Sequence, residues 1–172
     1  MISAVCILAC DNPQSSSSIP TVTTYFDTHT FFQQEIKRLK SENPSVNKTV
    51  QKENQTESKV LNIKNWENEL SSFTTIDLRK PAYVAQFDVN QTPTQLEYKA
   101  INDKLDIRSV NILLDNQQRA QQIIIIKQTD NTLYHTLEKL TYNKNEGYSV
   151  EKEQKIRLLG TNKYVIKSYF NL

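Results

Sequence analysis

Residues 105–142 read LDIRSVNILLDNQQRAQQIIIIKQTDNTLYHTLEKLTY, and this stretch decides the fold. Apolar and polar residues alternate along three segments of it, which is the period of a β-strand with one face buried. Short runs rich in Asp, Asn and Gln separate the segments and are typical of turns. Connections of this length leave no room for a crossover helix, so the neighbouring strands must be antiparallel.

The same period continues on both sides of this stretch, everywhere after Pro81. It predicts seven consecutive strands, at residues 83–89, 94–101, 105–114, 120–128, 132–142, 148–158 and 164–170. The four isoleucines at 123–126 place apolar side chains on both faces of one strand. They indicate a central position in the sheet, where a second layer or a ligand covers it. A meander that is polar on one face needs a cover only on its other face.

The residues before Pro81 supply that cover. Residues 21–41 are predicted to form an amphipathic helix with Phe32, Ile36 and Leu39 on its apolar stripe. Packing of this stripe on the sheet is favoured over a helix lying on a membrane surface. A polar hairpin is predicted at 48–53 and 58–63, and a short helix at 65–73. The predicted fold class is therefore α+β: a long meandering antiparallel sheet on an N-terminal helix, with curling toward an open barrel left undecided.

The start of the chain, MISAVCILAC, has the composition of an export signal. Residues 2–9 supply a short apolar segment and Ala9 supplies the small residue before a cut, although no basic residue precedes them. The polar, serine-rich residues that follow have no period and are typical of a flexible tether. An N-terminal strand with buried Cys6 and Cys10 is the alternative, and the abrupt polar linker argues against it. The predicted organisation is a signal segment at 1–9, a tether at 10–20 and one domain at 21–172.

Two resemblances support this interpretation. The residues Ile7, Leu8, Ala9 and Cys10 resemble the bacterial lipobox, whose cysteine is acylated and becomes the mature N-terminus. A wider part of the chain is similar to a family of uncharacterised envelope lipoproteins of the Bacteroidota, through TYFDTHTFFQQEIKRLKSENPSVNKTV, LNIKNWENELSSFTTIDLRKPAY and KIRLLGTNKYVIKSYF. The resemblance implies lipid attachment at Cys10 and a place in the cell envelope, at the outer membrane or its periplasmic face. It carries no catalytic residues across, because the family has no assigned activity.

Composition excludes several classes of function. Only two glycines are present, Gly147 and Gly160, so no Gly-rich phosphate-binding loop can be written. The 21 basic and 19 acidic residues are mixed along the chain, giving a net charge of +2. A nucleic-acid-binding protein usually concentrates its basic residues in one face or run, so nucleic acid is not predicted as a partner. The sequence predicts no cofactor and no metal.

Candidate catalytic groups are few. His29 and His135 are the neutral-pH bases, and neither has the spacing of a metal ligand. Asp103 and Asp106 flank one turn, so paired carboxylates leave a hydrolase as the least favoured alternative. Asp77 and Arg79 are expected to form an ion pair before Pro81. The sequence thus predicts a non-enzymatic protein.

Two functions remain after these exclusions. The favoured one is a binding module that holds an envelope protein or an apolar ligand on its curved sheet, with residues 123–126 as the first place to mutate. The alternative is a purely structural or immunity-like surface protein. A cavity between the sheet and the first helix would favour binding of a ligand.

Overall fold

A computed structural model describes residues 25–171 of the chain. The predicted signal segment, the tether and Cys10 lie outside the described residues. The helices are α1 (Thr28–Glu42), α2 (Trp66–Glu69) and α3 (Ser71–Thr74), followed by a 3-10 turn at Pro81–Tyr83. The strands are β1 (Ser45–Lys52), β2 (Gln55–Asn62), β3 (Phe87–Thr92), β4 (Gln95–Ala100), β5 (Ile107–Leu114), β6 (Ala120–Asp130), β7 (Tyr134–Asn143), β8 (Gly147–Ile156) and β9 (Gly160–Asn171).

All nine strands form one antiparallel sheet in the order β2-β1-β9-β8-β7-β6-β5-β4-β3. The seven strands after Pro81 follow one another in space, as predicted. The N-terminal hairpin adds to the far side of the last strand, since β1 pairs with β9 and Val46 lies opposite Phe170. The sheet is not closed into a barrel, because β2 and β3 form its two edges. The α+β class with one long antiparallel sheet is confirmed.

Several predicted boundaries were wrong for local reasons. The third strand was expected from Tyr83, but it starts at Phe87 because Pro81–Tyr83 forms a 3-10 turn and Ala85 has φ of 56°. The helix predicted at 65–73 is two helices that break at Leu70. The hairpin turn is shorter than predicted, since β1 and β2 leave only residues 53–54 between them.

Helix α1 starts later than predicted and stops close to where Asn43-Pro44 indicated. The Asp27 carboxylate caps it by accepting a hydrogen bond from the Thr30 N–H at 2.8 Å. At the other end Asn43 adopts the left-handed conformation, with φ of 44°. The Asn43 N–H donates to the Leu39 carbonyl, which satisfies one of the free carbonyls of the last turn.

The helices cover one face of the sheet, called here the inner face. Phe32 and Leu39 of α1 are fully buried, so the predicted apolar stripe of this helix is confirmed, and Trp66 and Phe73 of the short helices are buried beside it. They pack on alternate residues of the central strands, and this alternation divides the isoleucine run. Ile123 and Ile125 are fully buried on the inner face, and Ile124 and Ile126 are half-buried on the outer face. The predicted placement of apolar groups on both faces is confirmed.

Candidate functional site: a polar recess on the inner face

Aromatic rings fill the space between the helices and the sheet near the β7–β8 turn. Phe32 of α1 meets Tyr142 of β7 edge to face, with ring centroids 5.3 Å apart. Trp66 of α2 makes the same kind of contact with Phe170 of β9 at 6.0 Å. These rings occupy the apolar part of the inner face, where a cavity between the sheet and the first helix would have favoured binding of an apolar ligand.

A buried carboxylate on α1 fastens this helix to the sheet. Glu35 is 4% exposed. It accepts hydrogen bonds from the Tyr142 hydroxyl and from the Arg38 guanidinium, both at 2.8 Å, and Lys144 Nζ lies 3.6 Å away. Burial raises the pKa of Tyr142, and the negative charge of Glu35 raises it further. The phenol is therefore a hydrogen-bond donor at any physiological pH, and its role is to hold the helix.

A second carboxylate does the same for α2. Glu69 accepts a hydrogen bond from the Tyr148 hydroxyl and pairs with Lys48, each at 2.5 Å. Burial raises the pKa of Tyr148, and its bond to Glu69 adds to this effect. Sequence reasoning missed both of these carboxylate contacts between the helices and the sheet. The first had a visible signal, because Glu35 lies on the apolar stripe of α1, three residues after Phe32 and four before Leu39.

Beyond the helices, the inner face holds an open recess of about 170 Å³. Its walls come from three neighbouring strands, β6, β7 and β8, and its lining residues are Lys127, Thr129, Tyr134, Thr136, Glu138, Lys152 and Gln154. Thr136 and Glu138 lie two residues apart along β7, on the same face as the buried Leu140. The recess therefore continues the core surface past the point where the helices stop covering it.

The polar groups of the recess are only partly paired. Lys127 and Glu138 lie opposite each other in the sheet and form an ion pair at 3.4 Å. Lys152, opposite Glu138 on the other side, has no carboxylate within 4.0 Å among residues 25–171. Thr136 is 9% exposed, and its buried hydroxyl has no hydrogen-bond partner in the described part of the chain. A buried hydroxyl left without a partner costs about 1–3 kcal/mol. Lys152 and the Thr136 hydroxyl are therefore groups of the recess wall that lack these partners within residues 25–171.

The two histidines are not brought together. The Nδ1 atom of His29, at the start of α1, lies 3.3 Å from the Thr74 carbonyl oxygen. His135 contacts Asp130, and this hydrogen bond lowers the pKa of the Asp130 carboxyl. Because His135 is five residues from the inward-facing Leu140, it lies on the outer face, opposite α1.

The predicted carboxylates have ordinary structural partners. Asp106 accepts a hydrogen bond from the Tyr83 hydroxyl at 2.8 Å, and burial together with this bond raises the pKa of Tyr83 to about 12. Asp103 lies in the same exposed turn. The Asp77–Arg79 ion pair is confirmed, with Oδ1 and Nε 3.3 Å apart.

The outer face carries a shallow groove beside the isoleucine run. Ile126, Leu137 and Val165 line it, and charged residues of the same strands surround them. Ile124 and Ile126 are the members of the run that reach this face. Ile123 and Ile125 belong to the core, so replacing them would test packing instead of ligand contact.

Two further observations concern metals and membrane crossing. In the described residues, no group of three or more His, Cys, Asp or Glu side chains is placed to hold a metal ion. Helices long and apolar enough to cross a membrane are likewise not found between residues 25 and 171. Comparison of the chain with protein-family models, with curated proteins and with solved structures gives no match.

Proposed function

We propose that this protein is a lipoprotein of the cell envelope, acylated at Cys10, that acts as a non-enzymatic binding module. Its ligand, or the partner side chain it holds, carries an anionic or polar group that enters the recess between β6 and β8. The unpartnered buried hydroxyl of Thr136 is the observation that supports this best. Burying such a group is unfavourable unless something pairs with it.

The recess changes the kind of ligand we propose, from apolar to polar. The apolar residues of the inner face already pack on α1, α2 and α3, whereas the residues left uncovered are mainly polar. A structural or immunity-like surface protein is the second candidate. It would use the outer face, whose ion pairs, such as Lys163 with Glu153 at 2.9 Å, suit a solvated surface.

Membrane attachment is tested in the native host by fractionation. The intact protein should be in the membrane fraction, and Cys10→Ala should release it after a high-salt wash or block its maturation. Mass spectrometry of the native protein should show a lipid on Cys10. An unmodified chain that starts at Met1 would contradict the anchor.

Ligand binding is tested by native mass spectrometry of protein purified gently from the envelope. We expect an additional bound mass that is lost in Thr136→Val and in Lys152→Glu. The controls are Thr141→Val and Lys139→Glu, which change the same residue types on the outer face of β7. A bound mass that survives both recess variants would contradict the site.

The same threonine variant separates binding from stability. Thr136→Val replaces an unpartnered hydroxyl by a methyl group of the same shape, so it should raise the free energy of unfolding by about 1 kcal/mol. Loss of the ligand together with a gain of stability is expected of a binding residue. Loss of both would mean that the hydroxyl has a structural role.

Catalysis is tested with the double variant His29→Ala, His135→Ala. Because the two side chains lie on opposite faces, we expect the cellular role of the protein to be intact. A loss of function at unchanged stability would favour the hydrolase.

A further inference from the structure

Large apolar side chains are exposed at one end of the sheet. Leu158 and Leu159 in the β8–β9 turn are 93% and 80% exposed, and Leu133 in the β6–β7 turn is 70% exposed. Alternate turns of a meander lie at the same end of the sheet, so these two turns are neighbours. We call the three residues the leucine tip.

The backbone holds the two turns together. The Arg157 N–H donates to the Leu133 carbonyl at 3.0 Å, which joins the β8–β9 turn to the β6–β7 turn. Inside the β8–β9 turn, the Leu159 N–H donates to the Ile156 carbonyl at 3.2 Å. The leucine side chains therefore project into solvent from turns that backbone hydrogen bonds hold in place.

The turns at the opposite end of the sheet have a different composition. They consist of residues 93–94, 115–119 and 144–146, which read PT, DNQQR and KNE. Single exposed leucines are common on protein surfaces, but a contiguous group marks an interaction site. At the end that carries the leucine tip, the other two turns, residues 53–54 and 101–106, read EN and INDKLD, so the exposed leucines are confined to the two neighbouring turns of the tip.

Two cations flank the leucine tip. Arg157 lies in the β8–β9 turn beside the two leucines and Lys155 lies two residues before it, whereas Lys163 is paired with Glu153 at 2.9 Å. On the neighbouring turn, the carboxylate of Asp130 already contacts Arg108 and His135. A projecting apolar point with flanking cations matches a surface that is anionic outside and apolar beneath.

We infer that the leucine tip inserts into the surface of an anionic membrane. The leucines enter the boundary between headgroups and acyl chains, while Lys155 and Arg157 contact lipid phosphates. A protein partner fits less well, because a stable interface buries about 800 Å² on each side and three projecting side chains offer far less. This inference does not depend on acylation of Cys10 or on the recess. Contact of this kind is weak and reversible, so the high-salt wash of the fractionation test removes it.

The test is co-sedimentation of the full chain carrying Cys10→Ser, which cannot be acylated, with lipid vesicles. One set contains equal parts of phosphatidylglycerol and phosphatidylethanolamine, and the other contains phosphatidylcholine alone. We expect binding to the anionic set at low salt. This binding should be lost on the neutral set and at about 1 M NaCl, where the Debye length is only about 3 Å.

Variants identify the surface that binds. The pair Leu158→Ser, Leu159→Ser should abolish sedimentation, and Arg157→Glu should weaken it by roughly fivefold or more, as expected for a basic residue near anionic lipid. Val60→Ser is the matched control, because Val60 is 68% exposed but lies on the edge strand β2. Thr136→Val should bind vesicles as the parent does. The proposal for the recess and the inference for the leucine tip are therefore tested independently.

Three results would overturn the inference. One is equal sedimentation of the parent and the double serine variant with unchanged melting curves. Another is a loss of binding in Val60→Ser as large as in the tip variant. The third is failure to bind anionic vesicles together with a concentration-dependent dimer that the serine pair abolishes, since the tip would then contact a second copy of the chain.

Discussion

The Tyr142 hydroxyl donates a 2.8 Å hydrogen bond to the buried carboxylate of Glu35, although 107 residues separate the two in the chain. This bond links the first helix to the centre of the sheet, and Arg38 supplies the compensating charge at 2.8 Å. A buried carboxylate is stable only when such partners surround it. The position of α1 on the sheet therefore depends on a polar contact as well as on its apolar stripe.

Tyr142→Phe should lower the free energy of unfolding by about 1–3 kcal/mol, because Glu35 keeps its burial and loses a donor. Urea denaturation measures this. In combination with Glu35→Gln the two losses should not add, since both variants disrupt the same bond. Tyr169→Phe, at a site that is 53% exposed, is the control for loss of a hydroxyl. Additive losses would show that the two residues act independently.

Stability should fall as pH rises above about 10. The folded pKa of Tyr83 is raised to about 12 from its ordinary value of 10.0, by burial and by Asp106. Tyr98, Tyr142 and Tyr148 are shifted in the same direction, with burial as the main cause. Above pH 10 the unfolded chain loses protons that the folded chain keeps, so unfolding becomes more favourable.

Tyr83→Phe is the variant that tests this linkage. Between pH 10 and 12 its free energy of unfolding should decline less steeply with pH than that of the parent. The difference in slope should correspond to at most one bound proton, the one on the Tyr83 hydroxyl. The measurement is the urea midpoint against pH, with Tyr169→Phe as the control. Identical slopes in the parent and Tyr83→Phe would contradict the assignment.

Gly147→Ala should destabilise the protein by about 3 kcal/mol or more. An added Cβ would lie 1.9 Å from the Ser168 carbonyl oxygen, which belongs to the neighbouring strand and cannot move aside. Gly160 is the matched control, since it also has positive φ, at 91°, but a Cβ there meets nothing within 4 Å. Thermal melting should show Gly160→Ala to be clearly milder. Equal losses would mean that backbone conformation, and not the close approach, explains Gly147.

Phe32→Ala should cost about 3 kcal/mol or more, the usual loss for a buried phenylalanine. Its ring is fully buried against Phe73 and Tyr142. Leu158→Ala is the control and should stay within about 0.5 kcal/mol, as exposed positions do. An unchanged melting temperature for Phe32→Ala would revive the interpretation of α1 as a membrane-surface helix.

The strands could be predicted because their alternation is a local property of the chain. The same rule placed Ile123 and Ile125 on one face and Ile124 and Ile126 on the other. It failed at Tyr83, where the segment looked extended but Pro81 starts a 3-10 turn. Helix α1 was predicted from its stripe, although its start at Thr28 depends on the Asp27 cap.

The recess could not be predicted by the same reasoning. Alternation places Thr136 and Lys127 on the inner face, but it does not tell where the helices stop covering that face. The pairing of β1 with β9 was also out of reach, because the local sequence contains no signal for contacts between the two ends of a domain. Glu35 was the exception, since a charge on an apolar stripe can be recognised.

The pairing of β1 with β9 also constrains how the chain becomes folded. Ser45 and Asn171 are opposite each other in the sheet and 126 residues apart in the chain, so β1 cannot find its second neighbour until β9 has been synthesised. Contacts of such long sequence separation make folding slow. A nascent or truncated chain would leave the β1 edge open to pairing with other chains. Such a protein suits a route in which the polypeptide is kept unfolded until β9 has been delivered.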